Sequence, residues 1–408
     1  MNILIFNTWY YPNMKGGAEQ SVKLLADGLA CRGHHVAVIT ADGKDEEREY
    51  EAEQVGKVTV YRLAAHMFTD KNCIYTKVIS KLRDIKWKRN TKRIEKIIEI
   101  EKPDIIHTNS MPGLSFYAWK IIAKRKIPLV HTLRDYSVCS PKGIYESSIF
   151  KLSPYGVFLR FYQKRIRMYS KDVKYVTSPS KFTLNRIMED QFFPASESKI
   201  VVNAVELDLE ETKRCIEVKK AKYNSMKKQR ILFAGRLLDI KGIKLLIKAF
   251  ALLRDDNLSL EVCGEGKLED FVRESAERDK RINYLGMLDK EKLNQRYHEA
   301  DVVIFPSLWD EPFGRIVIEA NKFGTPVIAS RKGGISEIMD VIGGGILFTP
   351  TDEKALAEII ADFLKSDFNQ FYANILDNLE NYSLQKQIND FEQTYMKLTG
   401  LRDEDKVS

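Results

Sequence analysis

Apolar and polar positions along this chain follow two rhythms. Short apolar runs recur at residues 2–6, 35–40, 128–133, 175–178, 200–204, 231–235, 258–263, 282–286 and 302–305. Each is bounded by polar or glycine-bearing turns, so each reads as a buried strand. Another strand is expected within residues 102–109, after Pro103. Between the runs the apolar spacing changes to that of a helix face. It does so at Val22, Leu25, Leu29 and Ala30, and again at Ile243, Leu246, Ile247 and Phe250. The clearest case is residues 301–330. A strand at 302–305 is followed by a polar turn at 306–312. Helical spacing then runs through Phe313, Ile316, Val317, Ala320 and Phe323. Gly324 and Pro326 close that helix, and Val327 starts the next strand. Repetition of strand, loop, helix and strand predicts an α/β fold with doubly wound parallel sheets, Rossmann-like in both halves.

At 408 residues the chain exceeds one ordinary domain. Residues 1–204 form the expected first domain and residues 205–382 the second. Residues 206–230 mix Lys and Glu with few apolar positions, and read as a connection followed by a polar surface helix. Helical spacing returns at 352–364, and at 383–398 through Ile388, Phe391 and Met396. The polar residues 401–408 are expected to fray.

Candidate chemistry sits in the loops that follow strands. The turn at 306–312 lies at a helix start, where free N–H groups and the helix dipole favour an anion. Gly314 allows close approach to the backbone there. Glu311 and Glu319 bracket this position. A carboxylate beside a phosphate cradle cannot hold phosphate, but it accepts hydrogen bonds from hydroxyls such as those of a sugar nucleotide. Gly235, Arg236, Lys241 and Gly242 follow the strand at 231–235. Two cations at such a turn stabilise negative charge on a departing group, and one well-placed donor is worth about 3–4 kcal/mol. Gly264 and Gly266 follow another strand. Gly16 and Gly17 precede the first helix. There is no G-x-G-x-x-G, so the paired glycines form either an anion-facing turn or a plain tight turn.

Composition changes the picture only modestly. The chain is 44% hydrophobic and 30% charged, as for a soluble globular protein. No apolar run is long enough to span a bilayer, and residues 1–6 read as a strand and not as a signal peptide. Five cysteines without a C-x-x-C pair argue for reduced thiols in the cytoplasm. The net charge of +8 is unevenly spread. Residues 71–93 hold nine Lys or Arg and one acid, and residues 160–171 interleave basic and apolar side chains. These are either solvated helix faces or a surface for anionic lipid or a phosphate-bearing acceptor. No zinc-finger spacing or RNA-binding sheet motif supports nucleic acid as a partner.

The spacing Glu311, seven residues, Glu319, with Pro312-Phe313-Gly314 after the first acid, resembles the E-x7-E motif of retaining GT-B glycosyltransferases, closest to the group-4 family. Gly235, Arg236, Lys241 and Gly242 match that family's G-R-x-x-x-x-K-G. The resemblance implies two Rossmann-like domains with a cleft between them and a terminal helix, about 383–400, crossing back to the first domain. It implies transfer of a sugar, with retention, from a nucleoside-diphosphate sugar, UDP- or GDP-linked, to a saccharide or lipid-linked acceptor in bacterial cell-surface polysaccharide synthesis. By the same resemblance Arg236 and Lys241 hold the diphosphate, Glu319 the ribose, and Glu311 with the Phe313-Gly314 backbone the sugar. Arg315, Gly235, Gly264, Gly266 and Met287 then lie along the nucleotide. The acceptor approaches between Gly16-Gly17 and Arg134, with no metal and no cofactor needed. One departure stands out. The family has His-Asp where this chain has Arg134-Asp135. A guanidinium holds phosphate or hydroxyl but cannot be a base near neutral pH, which leaves Asp135 as the titratable candidate there. A non-catalytic sugar-nucleotide binder and a same-fold epimerase or hydrolase are the alternatives. The expected location is the cytoplasm, or the inner face of the cytoplasmic membrane.

Overall fold

In a computed structural model, residues 1–14, 16–43, 49–64, 74–145, 153–223 and 228–401 are described, with backbone alone for 74–77 and 223. Lys71 and Cys73 lie outside them. The chain forms two compact units, Met1–Ala204 with Leu384–Ser408, and Val205–Ser383.

Among the described residues the first unit holds eight strands: β1 (Asn2–Phe6), β2 (His35–Gly43), β3 (Glu51–Val55), β4 (Val58–Ala64), β5 (Ile105–Thr108), β6 (Leu129–Thr132), β7 (Tyr175–Ser178) and β8 (Glu197–Ile200). Their order is β3-β4-β2-β1-β5-β6-β7-β8. All neighbours are parallel except β3 and β4. The central strands are apolar on both faces because helices cover both sides, as parallel sheets require. The helix Gly17–Cys31 buries Val22, Leu25, Ala26 and Leu29 against the sheet. The final helix, Leu384–Thr399, adds Ile388, Phe391 and Tyr395 to the same core. Each such burial contributes roughly 2 kcal/mol. Polar contacts fix its register: the Gln387 amide donates to Val202 O at 2.6 Å, and Glu392 Oε1 meets His34 Nε2 at 2.8 Å. The terminal helix therefore completes the first unit, as the sequence implied.

The second unit holds β9 (Gln229–Ala234), β10 (Leu258–Cys263), β11 (Ile282–Gly286), β12 (Val302–Phe305), β13 (Val327–Ser330) and β14 (Gly345–Phe348). Every pairing is parallel, in the order β11-β10-β9-β12-β13-β14. In chain order this is 3-2-1-4-5-6, the doubly wound arrangement whose switch point lies between its first and fourth strands. Those are β9 and β12, and the loops leaving both carry the predicted chemistry. The first unit repeats the plan, with its switch point between β1 and β5.

Several elements differ from the sequence reading: β3, β4 and β14 fall outside the apolar runs, and the strand expected at 200–204 is β8, which ends at Ile200. The helix expected from Phe313 spans only Arg315–Asn321, because Gly314, at φ 123°, breaks the helical backbone before it. The helix Leu209–Tyr223, read as a polar surface element, buries Thr212, Cys215, Ile216 and Lys219. The Lys219 ammonium donates to His298 O at 2.7 Å and Ala300 O at 2.5 Å, so a charged residue serves as an inward-facing one. Burial pushes it down to about 8. No helix among the described residues is long and apolar enough to cross a membrane.

Candidate functional site

The site in the second unit grows from two loops at the β9/β12 switch point. Backbone and side-chain bonds stitch the loops together. Leu308 N–H donates to Ile240 O at 2.8 Å, and the Ser307 hydroxyl lies 3.3 Å from the same oxygen. Gly242 sits at φ 73°, and a Cβ there would fall 1.9 Å from Pro306 O. Only glycine permits that approach. The result brings Lys241 Nζ to 2.5 Å from Glu311 Oε1. Both side chains are largely buried, and Ser307 Oγ donates to the same Glu311 oxygen at 2.9 Å. The ammonium also lies 5.4 Å from the Trp309 ring centroid and 5.9 Å from that of Phe305, within cation–π reach of both rings. An ammonium has three donors, so bonding Glu311 leaves capacity for an anion.

A third loop, after β13, holds Glu311 from behind. Gly334 N–H donates to Glu311 O at 2.8 Å, and a Cβ on Gly333 would fall 2.3 Å from that oxygen. The sequence shows Gly333-Gly334 only as a turn, and Ser307 only as a small polar residue. The signal for both was position: each flanks a strand end next to the switch point.

Arg236 begins the loop after β9. It is exposed, and no side chain among the described residues bonds its guanidinium. Gly235 N–H donates to Cys263 O at 3.0 Å, and Gly264 N–H to Gly286 O at 2.8 Å. Gly264 packs so closely that a Cβ would lie 2.0 Å from Gly235 O. Gly266 likewise abuts Leu237 O, at 2.6 Å. Met287, just after β11, is exposed. Gly235, Gly264 and Met287 thus sit at the ends of β9, β10 and β11, beside one another in the sheet.

Glu319 has its own partners. Arg315 Nε donates to Oε1 at 2.6 Å, and Tyr297 Oη to Oε2 at 3.3 Å. Burial, then the Glu319 charge, pushes the Tyr297 phenol well up, so it stays a donor. Phe313 is buried with its ring 6.1 Å from Tyr382. The two glutamates therefore face separate cations, Lys241 for Glu311 and Arg315 for Glu319.

In the first unit, Gly16 and Gly17 are exposed at the start of the helix Gly17–Cys31, with Gly16 in extended backbone. Arg134 is buried, where Nε donates to Asn109 Oδ1 at 3.0 Å and Nη1 bonds Asn203 Oδ1. Asp135 accepts from Ser110 Oγ at 2.8 Å and from Ser137 N–H at 2.8 Å. One oxygen serves the local turn and the other ties it to the loop after β5. His107 and His131 lie inside β5 and β6, fully buried. His107 meets Tyr395 Oη and Thr132 Oγ1, each at 2.6 Å, and His131 Nδ1 meets Thr108 Oγ1 at 2.9 Å. Burial holds both rings neutral, His131 down at about 3.

Comparison with known proteins agrees with this architecture. The family Glycosyltransferase Family 4 matches residues 15–209, and the family Glycosyl transferases group 1 matches residues 216–383. The chain is 28% identical over 351 residues to an uncharacterised 42.6 kDa protein in a cps region of Klebsiella pneumoniae, covering 84% of this chain and 88% of that one. Its fold is similar to that of sucrose-phosphate synthase from Thermosynechococcus elongatus, with TM-score 0.72, 19% identity, and 98% and 99% of the two chains covered. It is also similar to the fold of the Anabaena protein HepE in complex with UDP and glucose, with TM-score 0.66, 20% identity, and 98% and 100% covered.

Proposed function

Because the chain belongs to the GT-B glycosyltransferases, family 4 in its first part and group 1 in its second, we propose that it transfers a sugar with retention from a nucleoside-diphosphate sugar to a saccharide or lipid-linked acceptor. The observation that carries this reading is the meeting of Lys241 and Glu311 at the β9/β12 switch point, with exposed Arg236 on the same loop. Open α/β sheets bind ligands at that place.

Arg236 and Lys241 take the diphosphate. Charge builds on its bridging oxygen as the bond to the anomeric carbon breaks, and fixed cations stabilise that charge. Glu311, held by Ser307 and by Gly334 N–H, accepts from a sugar hydroxyl beside the Lys241 ammonium. Glu319, already oriented by Arg315 and Tyr297, accepts from the ribose. Gly235, Gly264 and Gly266 let the backbone approach the nucleotide, and Met287 covers the base. The acceptor hydroxyl attacks from the leaving-group face and passes its proton to a phosphate oxygen, so one C–O bond forms as the other breaks. Arg134, between two asparagine amides, contacts the acceptor or a phosphate, and Asp135 shapes the turn beside it.

UDP-sugars are the first donors to try, since HepE was solved with UDP and glucose; GDP-sugars follow. The cps-region relative supports cell-surface polysaccharide as the product class. The test is release of nucleoside diphosphate from a donor panel, with and without acceptor, and proton NMR of the product's anomeric signal. Acceptor-dependent release with a retained anomer is expected. Binding without turnover would leave a sugar-nucleotide binder, and donor loss without acceptor would mark an epimerase or hydrolase.

A further inference from the structure

The helix Pro154–Ser170 contains no Asp or Glu. Its inner face buries Leu159, Tyr162, Ile166 and Tyr169. Its outer face exposes Val157, Phe161 and Met168, at 55%, 45% and 41%. At about 100° per residue these three fall within roughly 40° of one another. Arg160, Lys164 and, just past the helix end, Lys171 are exposed along one flank of that stripe.

A second helix, Ile74–Ile85, packs against this one. It exposes Val78 and Leu82, each at 42%, and Lys86 is exposed one further turn on. Its one acid, Asp84, is fully buried beside Lys81. Five of the twelve exposed large apolar side chains among the described residues therefore lie on these two helices. An ordinary solvated face mixes charges of both signs and exposes large apolar residues singly. Within these two helices the exposed apolar residues are aligned and every exposed charge is a cation.

We propose that this two-helix face docks on an anionic lipid bilayer. Val157, Phe161, Met168, Val78 and Leu82 enter the headgroup boundary, and the flanking cations meet lipid phosphates. The charge pattern favours a bilayer over a second copy of the chain. A two-fold contact would set the same cationic patch against itself, and like charges repel across an interface. The inference stands apart from the transferase reading, because lipid binding is scored without donor or acceptor.

The experiment is co-sedimentation of the full chain with vesicles of phosphatidylcholine alone or mixed with phosphatidylglycerol, at low and high salt. Binding is expected only with phosphatidylglycerol, and it weakens as salt rises. The triple variant Arg160→Glu, Lys164→Glu, Lys171→Glu should bind at least a hundredfold less, since each lost cation is worth roughly fivefold. The variant Val157→Ser, Phe161→Ser, Met168→Ser should bind at least tenfold less even at low salt. All six positions are exposed, so thermal melts should match the parent chain, and nucleoside diphosphate release with a soluble acceptor should be unchanged. Recovery of the parent chain in the supernatant with phosphatidylglycerol vesicles at low salt overturns the proposal. So does a concentration-dependent dimer that the Ser variant abolishes.

Discussion

Lys241 and Glu311 stand 70 residues apart in the chain, yet their charged atoms lie 2.5 Å apart in the loops that leave the adjacent strands β9 and β12. The pair is largely buried, so it links stability with chemistry. Lys241→Ala should lower kcat/KM for the donor by about 10²–10³, because a cation positioned for the developing charge is lost. It should also destabilise the second unit by about 3 kcal/mol, since Glu311 is left buried without its counter-ion. Lys241→Met with Glu311→Leu should recover most of that stability and none of the activity. Urea denaturation and steady-state kinetics on the three chains check this.

Ser307 donates to the Glu311 oxygen that also meets Lys241. One such bond is worth about 1.5–3 kcal/mol when its acceptor is charged. Ser307→Ala should lower kcat by roughly tenfold with little change in donor KM, and Ser307→Thr should restore it. An equal loss in the Thr variant would mean that loop packing, and not the bond, matters.

Arg315 and Glu319 are one helical turn apart and bonded at 2.6 Å. Arg315→Ala should raise the donor dissociation constant about tenfold by leaving Glu319 mobile, as expected for loss of about 1.4 kcal/mol of positioning. Glu319→Ala should weaken donor binding further. Calorimetric titration with a nucleoside diphosphate decides it. A donor constant unchanged by both substitutions removes Glu319 from the site.

The buried histidines give the first unit a pH dependence. Burial lowers the pKa of His107 and of His131, the latter to about 3. The unfolded chain therefore binds more protons than the folded one below about pH 6.5, and stability rises with pH there. The stabilisation is complete above about 6.5 and is lost progressively on acidification, by up to about 1.4 kcal/mol per pH unit for each ring. Thermal melts at pH 7.5 and 5.0 should show a lower midpoint in acid. The His107→Gln, His131→Gln variant should give a flatter profile.

The sequence revealed strands where both faces are apolar. β1, β9 and β12 are runs that only a doubly covered sheet tolerates. β3 was invisible, because three of its five residues are charged or polar and its middle positions are exposed at a sheet edge. The GT-B plan was legible because strand, loop and helix recur with glycines at strand ends. Of the candidate site, residue types were readable and partners were not. The Arg315–Glu319 spacing of four on a helix was a signal that went unused. The contacts of Glu311 with Ser307 and Gly334 depend on how three loops converge, which no local pattern records. Lys219 misled for a simpler reason: a lysine reads as surface, yet here it caps two helix-end carbonyls.

The placement of Leu384–Thr399 in the first unit has a consequence for biogenesis. Residues 205–383 form a contiguous unit and can fold as the ribosome delivers them. The unit begun at Met1 must wait, with the surface around Val22 and Leu25 uncovered, until Ile388, Phe391 and Tyr395 leave the exit tunnel. A nascent chain stalled before residue 384 would present a finished second half and an unsealed first half, a ready target for chaperones and proteases.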